Sequence, residues 1–565
     1  MKRTIAILLF FGMVFCGAAQ PTTTVKFMVS FSDKDNSPFS LNMPGQFLSQ
    51  RAIDRRVRQG LVVDVSDLPV NPNYIDSIKQ QGVTVLHTSR WLNAALVETD
   101  DSLKVFDLLG ISCVSDVSML FYQKSFKNGK KEGTKSIENG LSIDVLASEE
   151  LLHGALANTS NNINYGQGFA QANMIAVNYL HQLGYKGDSM LIAVLDAGFN
   201  SANTLTVFDS LYAEGRVLAE IDLIEKGGDI YTGSTHGMAV LSTMAANQPG
   251  ILVGTAPKAS YLLIRTEDIS SEFPVEEFNW VVGAEFADSA GADMINSSLG
   301  YTTFDDTSLN YTYSDMNGRH ALSSRGATMA ARKGMLVVAS AGNSGNSPWK
   351  YISAPGDADS ILTIGAVNVA GDYASFSSTG PTYDQRIKPN VVAMGEGTYV
   401  ANTYGSVGPG NGTSFSSPVL CGAVACLWQA NKTKSNMRIA EMVERSASQY
   451  TFPDSLKGYG IPNLAVAHLL LNEKVMPDIV IHSEVDVFPN PFNNSFVVGF
   501  FSTDTDKVII EIVDMNGKHI RAEEHKMIGG YNYIEISGLS DLKSGIHLMR
   551  LLYKEREITK KLIKK

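Results

Sequence analysis

Short stretches of alternating apolar and polar residues open the chain. Lys26–Phe31 reads as a strand, Leu48–Gln59 as a helix with an arginine-rich face, and Tyr74–Gln81 as a second helix. Val83–Val97 reads as largely strand, Ser102–Leu109 as a helix and Ile111–Ser115 as a strand, so residues 22–123 predict a small α+β domain. From Tyr165 to residue 473 the pattern changes. Continuous apolar runs at Met190–Leu195, Tyr261–Arg265, Met294–Ser297, Met335–Ala339 and Ile361–Val367 alternate with helical segments such as His236–Ala246 and Val275–Ala290. Strands apolar on both sides predict an α/β domain, a parallel sheet covered by helices on both faces. Ligands in such sheets sit beyond the carboxyl ends of the strands. Residues 477–565 return to strand and turn. Phe488-Pro-Asn-Pro-Phe492 opens them, Lys507–Val513 alternates, Asn516-Gly517 is a hairpin signal, and Tyr531–Ile536 and Gly545–Tyr553 follow, which predicts a small β-sandwich.

Between these blocks the pattern lapses. Over residues 124–164, five lysines including Lys130-Lys131 mix with glycines and then with a Ser/Asn-rich stretch, the composition of a solvated linker open to proteolysis. Residues 1–19, with Met-Lys-Arg ahead of an apolar run Ile5–Phe15 and small residues Gly17-Ala18-Ala19, read as a signal peptide. That run is about half of the twenty apolar residues a membrane span needs, and bulky Phe15 ahead of Cys16 argues against a lipid anchor there. A length of 565 residues agrees with roughly three or four domains. With 46 Lys and Arg against 57 Asp and Glu, the net charge of −11 repels phosphate backbones and sets nucleic acid aside as a partner. Four cysteines are too few for a disulfide scaffold. Cys421 and Cys426 would stand about 7.5 Å apart along a helix axis, beyond bridging reach, and read as buried free thiols. By charge alone, the final Lys560-Lys-Leu-Ile-Lys-Lys565 reads as a solvated tail.

Three motifs at the ends of α/β strands carry chemistry in combination. Asp196 ends the apolar run before Ala197-Gly198, His236-Gly237 opens an apolar helix, and Ser414, within Asn411-Gly-Thr-Ser-Phe-Ser-Ser-Pro418, stands at the start of a buried helix. A serine hydroxyl needs a base to take its proton, and that base needs a third group to hold its tautomer. The helix start supplies free N–H groups to an anion formed beside that oxygen. Asn343, in a glycine-flanked turn after an apolar strand, suits donation to an oxyanion. The chain order Asp, His, Ser is that of one known protease type.

These residues, with Ser298-Leu299-Gly300, Ala341-Gly-Asn343, Phe376-Ser-Ser-Thr-Gly-Pro381, Lys388-Pro-Asn390 and Gly412-Thr-Ser414-x-Ser-x-Pro418, resemble the subtilisin-like serine proteases, the subtilase family. The resemblance covers about Tyr165 to Asn472. It implies Ser414 as nucleophile, His236 as general base and then acid, Asp196 as its orienter, and Asn343 with the Ser414 N–H as oxyanion hole. It also implies that Ser298, Leu299 and Gly300 pair with substrate backbone and that Ser353, ahead of Ala354-Pro355, backs the primary specificity pocket, leaving it without a fixed charge. The family usually has Thr or Ser at the Ala197 position, Met at Phe415 and His at Val419; none of these differences removes an atom from the proton-transfer chain.

Residues 22–123 resemble the subtilase prodomain, which implies an intramolecular inhibitor cut away in the linker. Residues 477–565 resemble the sorting domain of the bacterial type IX secretion system, through Phe488-Pro-Asn-Pro-Phe492, Asp514-Met-Asn-Gly-Lys518, Leu542-Lys-Ser-Gly545 and the terminal lysines. That implies passage across the outer membrane to the cell surface or the medium, with the secretion machinery as partner. The expected function is a secreted serine endopeptidase made as a zymogen, acting on proteins or peptides. No cofactor is needed for the chemistry. The family commonly binds structural calcium, and no Asp-x-Asp-x-Asp loop marks a place for it. Two rival readings are weaker. A catalytically inactive exported binding protein on the same scaffold has no need of all four residues Asp196, His236, Asn343 and Ser414. An esterase would show Gly-x-Ser-x-Gly where Gly412-Thr-Ser414-Phe-Ser416 stands.

Overall fold

The computed structural model describes residues 24–123, 163–472, 481–502, 506–515, 517–527, 530–554 and 556–565. The signal-peptide reading, the lysine-rich linker and Asn516 of the hairpin signal lie outside them. The chain divides into two compact units. The smaller comprises the described residues of Met1–Pro38, Val70–Thr88 and Leu92–Thr134, and the larger those of Phe39–Pro69, Ser89–Trp91 and Lys135–Lys565.

In the smaller unit four strands form a sheet in the order Thr84–Ser89, Ala94–Thr99, Thr24–Phe31, Val114–Gln123, with Thr24–Phe31 antiparallel to both neighbours. Alternation along Thr24–Phe31 buries Val25, Phe27, Val29 and Phe31 on one face, and Ile78 and Leu108 from the helices Pro72–Lys79 and Lys104–Leu109 join that core. The largely strand stretch Val83–Val97 divides into the strands Thr84–Ser89 and Ala94–Thr99, with Asn93, at φ +50°, in the turn between them. The last strand runs from Val114, later than the expected Ile111–Ser115.

The larger unit is built on a parallel sheet of seven strands, in the order Val391–Met394, Leu362–Val367, Leu336–Ser340, Met294–Ser297, Leu191–Asp196, Ser260–Arg265, Val217–Asp222. The chain enters at Leu191–Asp196, goes out to the Val217–Asp222 edge, returns beside its start, and then crosses to Met294–Ser297 and continues the other way. The order therefore reverses between Leu191–Asp196 and Met294–Ser297, where ligand crevices form in such sheets. Central strands are buried throughout, as their unbroken apolar sequence requires. The helices His236–Ala245 and Thr413–Gln429 are apolar all round and buried along nearly their whole length, and they pack against each other. Cys421 and Cys426 lie in the second of these as buried free thiols.

Residues 481–565 contribute two antiparallel sheets. One has the order Ile481–Phe488, Phe496–Ser502, Gly530–Ile536; the other His519–Lys526, Lys507–Asp514, Gly545–Tyr553, Arg556–Lys564. Phe496 and Val498 from one sheet and Ile510, Met549 and Leu562 from the other share a core, which makes the pair a sandwich. The basic terminal run is not a free tail: it forms strand Arg556–Lys564 and buries Leu562.

Candidate active site

Asp196 is the last residue of its strand and is fully buried. Its Oδ1 accepts a hydrogen bond from the Ala197 N–H at 2.8 Å and lies 2.8 Å from Nδ1 of His236. Oδ2 is buried with no hydrogen-bond partner, next to the position where Ala197 lacks the family's usual hydroxyl. His236 is the first residue of its helix, with 17% of its side chain exposed. Gly237 sets this approach: a Cβ there would lie 2.5 Å from the Gly198 carbonyl oxygen and 2.9 Å from Asp196 Cβ. Only a residue without a side chain lets the helix start come so close to the strand end.

Ser414 is the second residue of the helix Thr413–Gln429 and is half-buried. Pro418 in that helix has no N–H to give the carbonyl four residues back, and that carbonyl belongs to Ser414. Ser298 fills the gap, its Oγ donating to Ser414 O at 2.9 Å. Buried Asn296 ties the two together, giving Nδ2 to Ser298 Oγ at 3.2 Å and accepting at Oδ1 from Ser417 Oγ at 3.0 Å. The Ser414 hydroxyl donates to the Ser298 carbonyl at 3.4 Å, a long bond. The ring of Phe415 stands 6.3 Å from that of His236, tilted by 33°, and Gly410 leaves it room, since a Cβ there would lie 2.7 Å from the Phe415 ring. Val419 is part of the buried core.

Asn343 follows the strand Leu336–Ser340. Its Oδ1 accepts from both Thr413 N, at 2.7 Å, and Thr413 Oγ1, at 2.9 Å, and Gly342 N in turn donates to Thr413 Oγ1 at 3.1 Å. With the acceptor end of the amide committed, Nδ2 is the end left to meet a ligand. A Cβ on Gly412, whose φ is +148°, would lie 3.5 Å from Asn343 Nδ2 and 3.7 Å from Ser414 N. Both donors thus border one small space that glycine keeps open. Thr413 and Asn296 escaped the sequence reading, since each has a partner about 70 or more residues away, Asn343 for Thr413 and Ser417 for Asn296, and Pro418 was the one local signal that a donor from elsewhere was needed.

Ser298 is buried, Leu299 half-buried and Gly300 exposed. Gly300 and Gly342 both abut Ser353: a Cβ on either would lie 2.4 Å or 2.9 Å from its Oγ. Ser353 is buried and its hydroxyl has no hydrogen-bond partner. Trp349 packs with Met316 and Ala354, and Tyr351 stacks on Tyr313 with centroids 4.0 Å apart. Beyond the site, Glu267, Glu272 and Glu276 bring carboxylate oxygens within 4.8 Å of one another. Their oxygens are the donor type of a hard cation, but three carboxylates fall short of the six to eight ligands that calcium takes. Glu267 also accepts from Tyr301 OH at 2.7 Å and Thr266 Oγ1 at 2.8 Å.

Fold and side chains together describe an α/β peptidase of the serine type. A model of the subtilase family matches residues 187–460, one of the peptidase S8 propeptide domain of Bacteroidota residues 26–138, and one of the secretion system C-terminal sorting domain residues 486–565. Subtilisin E of Bacillus subtilis is 31% identical over 296 residues, covering 51% of this chain and 68% of its own. A subtilisin of Bacillus pumilus is 30% identical over 296 residues, covering 51% and 94%. The crystal structure of MycP1 from Mycobacterium smegmatis covers 55% of this chain and 86% of its own at 20% identity and a TM-score of 0.42. The chain belongs to the subtilase family and is a serine endopeptidase with a propeptide domain before the peptidase domain and a sorting domain behind it. No helix among the described residues is long and apolar enough to cross a membrane.

Proposed function

We propose that the protein hydrolyses peptide bonds through an acyl-enzyme on Ser414. The 2.8 Å contact between Asp196 Oδ1 and His236 Nδ1 carries this reading. It fixes the proton on Nδ1 and turns Nε2 into the acceptor for the Ser414 proton. Ser414 Oγ attacks the scissile carbonyl carbon as its proton passes to His236. The oxyanion is held by the Ser414 N–H and Asn343 Nδ2, which border the space beside Gly412. Collapse returns the proton from His236 to the leaving amine, and water, activated by the same base, releases the acyl group. A long serine hydrogen bond before substrate binds is common, because such contacts tighten in the substrate complex. The base, its orienter and the oxyanion donors all come from the chain, so no cofactor is assigned to these steps. Structural calcium, usual in the family, is left without an assigned site.

Substrate backbone would pair with the extended Ser298-Leu299-Gly300, and the side chain before the cut would enter the space backed by Ser353, whose lining favours an uncharged residue. Synthesis as a zymogen follows from the propeptide domain, with maturation in residues 124–164; export across the outer membrane follows from the sorting domain. The test is the intact mass of wild-type and Ser414→Ala protein before and after a fluorophosphonate probe. Wild type is expected to lose its N-terminal domain and gain one probe mass, and Ser414→Ala to do neither. Equal labelling of both proteins would remove Ser414 from the role of nucleophile.

A further inference from the structure

Three residues from separate segments shape the cleft beside Ser414. Met294–Ser297 and Leu336–Ser340 are neighbouring parallel strands, with Ser297 opposite Ala339. Gly300 and Gly342 each follow three residues later, so the register brings two glycines together just beyond the carboxyl ends of the strands. Gly300 is exposed and Gly342 half-buried, which leaves a slot between two bare stretches of backbone. A side chain next to the reacting bond has to enter there. The Ser298 carbonyl, on one wall, accepts from the Ser414 hydroxyl at 3.4 Å, and Asn343 directly follows Gly342 on the other.

Ser353 fills the bottom of this slot. A Cβ on Gly300 would overlap its Oγ, and a Cβ on Gly342 would lie 2.9 Å from the same atom. The serine is 6% exposed, and its hydroxyl has no hydrogen-bond partner among the described residues. Burying a hydroxyl without a partner is unfavourable, so this atom gives the fold volume and no bond. The backbone beneath it cannot retreat. Ser353 N donates to Ala341 O on one wall at 3.2 Å, while Ala354 and Tyr301 exchange two hydrogen bonds, at 2.8 and 3.3 Å, on the other. Ser340 Oγ joins the walls by donating to Leu299 O at 3.4 Å, and Ala354 is packed against Met316 and Ala321 under Trp349. With walls and floor tied together, the side chain at position 353 sets the depth.

We infer that Ser353 determines which side chain is accepted before the cut: the slot stops a large side chain at the Ser353 hydroxyl and takes a small uncharged one, of the class of alanine and serine. This deepens the peptidase reading above and rests on it, since substrate backbone has to lie along Ser298–Gly300. Two glycines and a serine offer no charge to offset a buried ionic side chain. Close-packed walls turn each misfit methylene into a loss of transition-state binding.

The test uses the enzyme after loss of its N-terminal domain and tetrapeptide p-nitroanilides that differ only in the residue before the cut, Ala, Leu or Phe. For wild type, kcat/KM with Ala is expected to exceed that with Phe by about tenfold or more, a discrimination within reach of pocket size alone. Ser353→Gly is expected to raise the Phe-to-Ala ratio by about tenfold or more. Ser353→Thr, which adds a methyl at the same place, is expected to lower the Leu-to-Ala ratio, and either variant gives the reading should the other not fold. A role in folding alone would scale all three substrates together. A wild-type preference for Phe, or ratios unchanged in the folded variants, overturns the inference while fluorophosphonate labelling of Ser414 in the same samples persists. Loss of labelling and of all three activities in every protein, wild type included, overturns the peptidase reading and the inference with it.

Discussion

The amide of Asn343 illustrates how a single side chain acquires a direction. Thr413 offers two donors to the same oxygen, so the NH₂ group is forced towards the space beside Gly412. Asn343→Ala should therefore lower kcat by about 10²–10³ with little change in KM, because the donor acts on charge that forms only in the transition state. Thr413→Val, which keeps the shape and removes the hydroxyl, should give a smaller loss of the same kind; a KM effect in place of a kcat effect would show that Asn343 serves binding. Asp196→Asn should cost about 10⁴ in kcat, since an amide can hold His236 in the wrong tautomer, and steady-state kinetics on a peptide substrate measures both. The residues proposed for the site, Asp196, His236, Asn343 and Ser414, stood out in the sequence because each sits in a short motif beside its own strand or helix end. Asn296 and Thr413 were not legible as supports. Thr413 meets Asn343, and Asn296 meets Ser417, only where the fold brings distant segments together.

Elements were legible where burial was two-sided. The central strands read as unbroken apolar runs and were found within a residue or so, whereas the edge strand Val217–Asp222, half-exposed and alternating, passed unnoticed; Val391–Met394, buried throughout, was missed because four residues make too short a run to stand out. The arginine-rich face of Leu48–Gln59 was visible as a pattern, but arginines read as surface residues by default, and the burial of Arg55 and Arg56 is explained only by the carboxylates of Asp288 and Asp67 that meet them. Close approach between elements is likewise invisible in sequence until a glycine marks it. Gly237→Ala places a methyl 2.5 Å from the Gly198 carbonyl, a backbone atom that cannot rotate away. We expect a loss of about 1–3 kcal/mol of stability, seen as a lower Tm, and a fall in kcat as the His236 helix shifts from Asp196. An unchanged Tm would mean that the helix start has slack that these distances deny. Ser298→Ala should destabilise by about 1–3 kcal/mol as well, since it leaves the Ser414 carbonyl, already without its helical donor at Pro418, unpaired.

At the scale of the whole molecule, two buried bases tilt stability towards higher pH. Burial pulls the His181 imidazole down to about 4; it lies between Tyr165 OH, at 2.6 Å, and the Thr255 carbonyl, at 3.0 Å. Burial, with nearby Arg386 adding repulsion, pulls the Lys388 ammonium down to about 7 against the pull of Glu444 and Asp357. Its Nζ reaches only neutral oxygens, Thr363 Oγ1 at 2.8 Å, Asn390 Oδ1 at 2.9 Å and Ile361 O at 3.3 Å. For both groups the unfolded chain binds the proton more readily than the folded one, so stability rises with pH between the two values. The His181 contribution is complete above its ordinary value of 6.5 and is lost as pH falls towards 4. The Lys388 contribution is complete above 10.5 and is lost as pH falls towards 7. Lys388→Met removes the titration along with the hydrogen bonds that Nζ makes to these oxygens, and their loss lowers Tm over the whole range. The difference in Tm between wild type and Lys388→Met should therefore grow in favour of wild type from pH 7 to pH 10 in thermal melts. A difference that stays flat across that range would mean that Lys388 keeps its proton in the folded protein and that its three oxygens solvate an ammonium ion as well as water does.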